Sequence, residues 1–457
     1  MLKVAIYCSV IPPKTMKYLY IDNFRGFAET RIPILDVNFL VGQNSTGKTS
    51  VLGLLKLMST PRFFFSQAFG DDQFSFGNFS DMVSIHSADQ SYFRIGLVWD
   101  QQAKRKTDTS ANGFLMTFVE HQGLPRLATY TFFGGKGDTV SLRFSGNRVL
   151  YKSEKGNIPP VFTAKDMVFG LLPSWIEEHK GDNGDYNKLE TPRGFPEGRI
   201  PLLLAMSLVS EVSEKSRIEN KNSFEVHLPD VPFSPEIAWV APIRTKPKRT
   251  YDELMLQFSP EGSHTPYLIR RMLHTKTAAA KFREIVERVG VASGLFEGVR
   301  IRSFGRGATA PFEVDIVLDG KALNLSTVGY GVSQSLPVLV EVLARHKGSW
   351  FAIQQPEVHL HPRAQAALGD LFFEMAVTEQ KYFLIETHSD FTIDRFRMNY
   401  RTKRSSKPDS QVLYFERVNK QNTVSPLPIG SSGELSANQP EGYRNFFIKE
   451  ELRLLEI

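Results

Sequence analysis

Gly42-Gln43-Asn44-Ser45-Thr46-Gly47-Lys48-Thr49 sets two glycines, a lysine and a hydroxyl at the spacing G-x-x-x-x-G-K-[ST]. Residues of these types in this order bind phosphate. The glycines let successive backbone N–H groups turn inward around anionic oxygens, and a helix that starts where the loop ends adds its positive pole. Lys48 would neutralise the β- and γ-phosphates of ATP and the Thr49 hydroxyl would ligate Mg²⁺, with Asn44, Ser45, Thr46 and Ser50 completing the cradle. From average residue frequencies a chain of this length matches by accident only roughly one or two times in a hundred. A glycine turn carrying a solvated lysine is the weaker reading.

The cradle works only if a buried strand delivers it and a helix receives it, and both are legible. Val37 to Val41 is an apolar strand, and a helix follows from about Gly47 to Met58 with Val51, Leu54, Leu55 and Met58 at helical spacing. Upstream, Tyr18 to Ile21 and Arg31 to Leu35 are short strands joined through Asn23-Phe24-Arg25-Gly26-Phe27. Residues 90–152 hold strand-like runs at Phe93–Trp99, Phe114–Val119, Tyr130–Phe133, Val140–Phe144 and Arg148–Tyr151, separated by turn clusters, which predicts an antiparallel sheet. Residues 160–300 are mainly helical in pattern, with a Gly-, Pro- and Asn-rich loop at 181–198. Period two returns at 299–302 and 312–318. Helix 332–346, strand Trp350–Ile353, helix 363–376 and strand Tyr382–Ile385 then alternate as parallel α/β architecture does, presenting loops along one edge.

Those loops carry the remaining chemistry. Leu325-Ser326-Thr327-Val328-Gly329-Tyr330-Gly331 is a small-residue helix entry, a second place where free N–H groups meet an anion. Gln354-Gln355-Pro356-Glu357-Val358-His359-Leu360-His361-Pro362 ends one strand, and Glu386-Thr387-His388-Ser389-Asp390 ends the next. Taken singly, a glycine-rich helix entry and a strand-end histidine are structural more often than functional; their order behind a P-loop changes that.

In that order the motifs resemble ABC-type ATPases of the OLD, RecF and SMC group, over Tyr18 to Asp390. The resemblance extends to Pro242-Ile243-Arg244 with Tyr251 and to Glu441-Gly442-Tyr443-Arg444. It implies that Arg25 reaches the nucleotide phosphates. It implies that Ser326, Gly329 and Gly331 form a signature loop capping the γ-phosphate bound to another subunit, and that His388 is the switch histidine. It implies an α/β fold: a P-loop ABC-type ATPase head of mixed sheet flanked by helices, with a β-rich N-terminal lobe and an inserted helical arm. The divisions expected are an extension at 1–15, an N-terminal lobe at 16–159, the helical arm at 160–298, a C-terminal lobe at 299–430 and a tail at 431–457. Many stand-alone bacterial members of this group act in antiphage defence beside a separate effector, so the resemblance implies a homodimer or larger homo-oligomer with a separately encoded effector.

The departure from the group lies at Gln354 and Gln355, where the usual pattern has two acids. Gln354 stands where an acid holds Mg²⁺ through water, and Mg²⁺ prefers hard charged oxygens. Gln355 stands where a glutamate activates the attacking water, and loss of a positioned base costs about 10²- to 10⁴-fold in rate. Glu357, two residues on, is the alternative acid if the loop bends toward the site. A chain that binds ATP and hydrolyses it slowly is expected. The rivals are a DNA-stimulated repair ATPase with Glu357 as the working acid, and an interaction protein for which nucleotide is only a structural ligand.

Composition excludes other classes. The 457 residues include 41% hydrophobic residues and 35 Phe, enough for a large core. A single cysteine, Cys8, excludes an internal disulfide framework or a multi-Cys zinc site and favours a reducing compartment. No apolar run is long enough to span a bilayer, so a cytoplasmic protein without membrane contact is expected. About seventy residues follow His388, too few for a Toprim nuclease. Net charge is +6. Arg244, Lys246, Lys248 and Arg249, with Arg270, Arg271 and Lys276, suit DNA phosphates, an acidic partner or a solvated face, and Arg244 also suits the nucleotide site. The sequence leaves these open.

Overall fold

Period-two runs of β-branched and aromatic residues and 3.6-period apolar stripes divide the chain into 17 strands and 11 α-helices among the described residues. The computed structural model describes residues 16–443 apart from 72–73, 102–109, 136, 146–147, 157–158, 160–161, 182–183, 191–200, 219–232, 234–235, 254–256, 275, 308 and 403–406. The extension with Cys8, much of the 181–198 loop, the Lys276 side chain and Arg444 lie outside the described residues.

The chain runs β1 (Lys17–Asp22), β2 (Thr30–Ile34), β3 (Val37–Gly42), α1 (Lys48–Met58), α2 (Pro61–Ser66), α3 (Phe79–Met82), β4 (Tyr92–Gln101), β5 (Ser110–His121), β6 (Leu124–Phe133), β7 (Thr139–Ser145), β8 (Arg148–Glu154), α4 (Ala164–Asp166), α5 (Leu172–Glu178), β9 (Asn187–Leu189) and α6 (Leu202–Ile218). It continues through β10 (Ala238–Val240), α7 (Thr265–His274), α8 (Lys276–Ser293), β11 (Gly298–Ser303), β12 (Phe312–Leu318), β13 (Lys321–Asn324), α9 (Tyr330–Ala344), β14 (Trp350–Gln354), α10 (Pro362–Glu379), β15 (Tyr382–Glu386), α11 (Asp390–Thr402), β16 (Ser410–Val418) and β17 (Gln421–Pro428).

Two compact units result. The first comprises Met1–Leu35, Asn44–Ser234 and Phe415–Val424; the second comprises Asp36–Gln43, Pro235–Tyr414 and Ser425–Ile457. In the first, β2-β1-β4-β5-β6-β7-β8-β9 form one antiparallel sheet in that order. Alternate side chains go to opposite faces. One face meets the helical turn at Ala164–Leu172 through Tyr18, Tyr20, Val98 and Leu115. Elsewhere in this unit the phenylalanine excess finds its use. Phe24, Phe69, Phe76, Phe93 and Phe118 are buried, with Phe69 edge-on to Phe118 at 4.8 Å and to Phe93 at 5.4 Å.

In the second unit β10, β14, β15 and β3 lie side by side in that order, with the start of β16 beyond β3. The first four strands are parallel. β14, β15 and β3 are buried along their whole lengths, as strands covered on both faces must be. The expected α/β architecture of large sheets flanked by helices is what is observed. The stretch expected to be mainly helical also supplies β9 and β10, three-residue strands too short for a period to show.

α9 is fixed by a buried carboxylate. Glu341 accepts from His264 Nε2 at 3.0 Å and pairs with Arg345. Burial pushes its pKa upward, but the His264 hydrogen bond and the Arg345 charge outweigh that and hold it below the ordinary carboxylate value. Its contribution is therefore present at neutral pH and lost as pH falls from the ordinary carboxylate range through the lower folded value. Glu341→Ala leaves His264 and Arg345 without their acceptor and is expected to cost about 3–5 kcal/mol. The measurement is urea unfolding at neutral and acidic pH: the wild-type advantage should shrink on acidification, and an unchanged gap would rule out this assignment.

Candidate functional site

The parallel strands place four loops at one edge of the second unit's sheet. β10 ends toward Arg244, β14 at Gln354, β15 at Glu386 and β3 at Gly42. Ligands of open α/β sheets sit outside this carboxyl edge.

From β3 the chain passes straight into the predicted P-loop. Gly42 has φ 139°, Ser45 φ 62° and Gly47 φ 94°, so the loop takes left-handed turns that favour glycine. Gly47 is required twice over. A Cβ there would lie 2.4 Å from the Phe27 ring, and its φ is one that other residues rarely adopt. α1 begins at the next residue, Lys48, with no acidic side chain in its first turn to offset its positive pole. Within the first unit the loop is braced from far along the chain. Arg417 donates to the Ser45 carbonyl and to Asn422 Oδ1, while the Asn422 amide donates to the Arg25 carbonyl at 2.9 Å. Arg25 is anchored in turn, its Nε and Nη2 donating to the carbonyls of Asp81 and Phe76 at 3.0 and 2.7 Å. These bonds commit much of the guanidinium expected to reach phosphate to holding its own turn.

At the strand ends of the second unit, the Gln354 amide donates to Glu386 Oε2 at 2.9 Å, and the Gln355 N–H donates to the Glu386 carbonyl at 2.7 Å. Gln355 has φ 43°, so the chain leaves β14 through a left-handed turn. Both Glu357 oxygens are taken: Thr387 Oγ1 donates to one at 2.8 Å and the His388 N–H to the other at 2.7 Å. Glu357 thus clamps the β14 loop to the β15 loop. Arg244 is 4% exposed and donates once, from Nη2 to the Gln354 carbonyl at 3.2 Å. Its Nε and Nη1 have no hydrogen-bond partner. Burial lowers its pKa to about 10, against the pull of Glu357. A buried guanidinium with two open donors is costly unless an anion joins it.

The other motif residues divide by role. His361 caps α10 by accepting from the Ala364 N–H, with Pro362 at the first helical position, so this histidine is structural. Gly329 precedes α9, and Gly331 lies against the His359 carbonyl, 3.1 Å from where a Cβ would stand. Ser326 is exposed and is held by Asn324 Oδ1, which accepts from its N–H and its hydroxyl.

Sequence reasoning named Arg244 without its isolation and passed over Glu386, Thr387, Arg417 and Asn422 as functional residues. Glu386 carried one usable signal, an acid directly before the strand-end Thr-His. Arg417 and Asn422 carried none, because their partners are nearly four hundred residues away.

Residues 16–110 match a family model described as "AAA ATPase domain", and residues 294–394 match one described as "AAA domain, putative AbiEii toxin, Type IV TA system". The first spans the P-loop and the second spans Gln354, Gln355 and His388. Together they support an AAA-type ATPase. No curated protein matches. Among solved structures, the chain is similar to the SMC head domain from Thermotoga maritima, at 12% identity and TM-score 0.37, covering 90% of this chain and 98% of that one. It is also similar to the Pyrococcus furiosus Smc head domain bound to the C-terminal domain of ScpA, at 9% identity and TM-score 0.40, covering 96% and 100%. A structure of the recombination mediator RecF aligns at 12% identity and TM-score 0.29, covering 91% and 99%. No described helix is long and apolar enough to cross a membrane.

Proposed function

We propose that this chain is a slow ATPase that uses bound ATP to hold an oligomeric scaffold. The observation that carries this is the pair of neutral amides, Gln354 and Gln355, closing the strand where two acids would otherwise stand, in a chain whose P-loop is intact. Gly42 to Thr49 and the start of α1 suit a triphosphate, since the loop turns through positive φ at Gly42, Ser45 and Gly47 into a helix start that carries no acidic side chain in its first turn. At the strand ends of the second unit, the carboxylate of Glu386 is a hard charged oxygen suited to Mg²⁺ where Gln354 offers only an amide. Bound Mg²⁺ would shield the β- and γ-phosphate charge. Gln354 orients Glu386 by its amide hydrogen bond, and Glu357 holds Thr387 and His388 in place. The exposed Ser326, Gly329 and Gly331 loop at the start of α9 would meet the nucleotide of another protomer.

The motif order favours a cytoplasmic scaffold that holds a separately encoded effector in antiphage defence. Sedimentation with ATP and Mg²⁺ tests the assembly. The wild-type chain should shift to a dimer or larger species, and Ser326→Arg should bind ATP yet stay monomeric. A wild-type monomer at saturating ATP overturns the proposal, and turnover that rises strongly with duplex DNA favours a repair ATPase instead.

Arg244 makes a sharper prediction. If its open donors await a phosphate, Arg244→Met removes a buried unpaired charge from the ligand-free chain and should leave the melting temperature unchanged or raised. The same variant should bind ATP about tenfold more weakly, the loss of one charge-assisted hydrogen bond. A lower melting temperature with unchanged ATP affinity would show a purely structural arginine.

A further inference from the structure

A cavity of about 1240 Å³ lies between α7, α8 and the β11-β12-β13 sheet of the second unit. Gly298, Val299, Arg300 and Ile301 all line it. Consecutive residues of a strand face opposite sides, so a cavity lined by four in a row runs along the strand's edge. Among the described residues β11 is the edge strand there, pairing with β12 alone.

The register shows which backbone groups face the cavity. β12 and β13 are joined by Asp319-Gly320, both at positive φ (47° and 71°). This two-residue turn closes Leu318 and Lys321 as a hydrogen-bonded pair. Even-numbered β12 residues therefore bond to β13, and odd-numbered ones bond to β11. The bonds from Glu297 N–H to the Val317 carbonyl and from Phe304 N–H to the Pro311 carbonyl, each 2.8 Å, agree. Gly298, Arg300 and Arg302 thus spend their backbone groups on β12. Val299, Ile301 and Ser303 turn theirs outward, and all three line the cavity. β13 is the sheet's other edge, and none of its residues lines this cavity.

Charge selects the occupant. Arg270, Arg271 and His274 of α7, Arg283 of α8 and Arg300 of β11 line the cavity, against the acids Glu287 and Glu297. Arg270 is held on the carbonyls of Ala310 and Gly307. Arg271, Arg283 and Arg300 are exposed and have no partner among the described residues. The volume exceeds the roughly 300–1,000 Å³ of a small-molecule pocket. Single-stranded nucleic acid would need stacking platforms, and the lining aromatic, Tyr267, is 7% exposed. We propose that β11 is a docking edge for an extended acidic segment of a partner protein. That segment adds as a fourth strand on the outward N–H and C=O groups of Val299, Ile301 and Ser303, and its carboxylates meet Arg271, Arg283 and Arg300.

The experiment uses the full chain and a fluorescent decapeptide alternating glutamate and valine, whose glutamates share one face. Its controls are the same peptide N-methylated at every residue and a single-stranded DNA of equal charge. The acidic peptide should bind and slow hydrogen exchange at the Val299, Ile301 and Ser303 amides. The double variant Arg271→Glu with Arg283→Glu should bind it at least about tenfold more weakly, with an unchanged melting temperature because both side chains are exposed. N-methylation should remove binding. Equal binding of the N-methylated peptide overturns strand addition, and binding of the DNA but not the peptide overturns the choice of partner. Peptide binding without exchange protection in β11 places the site elsewhere.

Discussion

Lys48→Ala is expected to weaken ATP binding by about 10²-fold and to remove the rise in melting temperature that ATP gives the wild-type chain. Lysine at this loop position meets two phosphate groups, and charge-assisted hydrogen bonds contribute about 1.5–3 kcal/mol each. Losing about 3 kcal/mol is roughly a hundredfold in affinity. Ligand at a hundred times its dissociation constant stabilises a protein by about 2.7 kcal/mol, and that gain disappears when affinity falls so far. Lys48 is 4% exposed, so the ligand-free variant must be measured alongside to separate a folding defect from a binding defect. Retention of the full ATP-induced shift by a folded Lys48→Ala would show that Gly42 to Thr49 is not the phosphate site, and the functional proposal would fall with it.

What could be read from the sequence depended on how local the determining contacts are. The P-loop was legible because its strand, turn and helix are contiguous, so one stretch of chain states both the chemistry and the scaffold. The parallel core was legible from the alternation after residue 330. The carboxylate of Glu386 was not, since its meaning depends on β14 and β15 being neighbours in register, Gln354 against Glu386. The Gln354 amide meets the Glu386 carboxylate across that register, a pairing that a linear motif does not record. Arg244 reached the same edge from a loop more than a hundred residues upstream of β14. Glu357 was read as an alternative base. In the structure its two oxygens accept from Thr387 and His388, contacts visible only when the two loops are folded together. The basic residues of α7 were ambiguous for a similar reason. Only the open edge of β11 beside them distinguishes a docking cleft from a solvated face.

The same strand ends yield the strongest test of slow turnover. Gln355→Glu places an acid at the strand end where the proposed function leaves the attacking water without a base, and is expected to raise ATP turnover by about 10²-fold or more, within the range a positioned general base contributes. The backbone favours a clean result. Gln355 sits at φ 43° with its N–H fixed on the Glu386 carbonyl, and glutamate has the same branching at Cβ, so the turn costs both residues alike. Glu386→Gln makes the complementary change: it keeps an acceptor for the Gln354 amide and removes the charge. If Glu386 has taken over the acid's part toward Mg²⁺, this variant should bind ATP normally without divalent ions and lose most of the Mg²⁺-dependent gain in affinity, which calorimetry reads without any turnover. The two results separate the roles. A rise with Gln355→Glu alone means that the chain lacks only a base. A loss of Mg²⁺ dependence with Glu386→Gln means that the metal's acid survives on the neighbouring strand. Unchanged behaviour in both variants, with brisk wild-type hydrolysis, would mean that catalysis draws on another acid, and the chain would have to be regarded as a working ATPase.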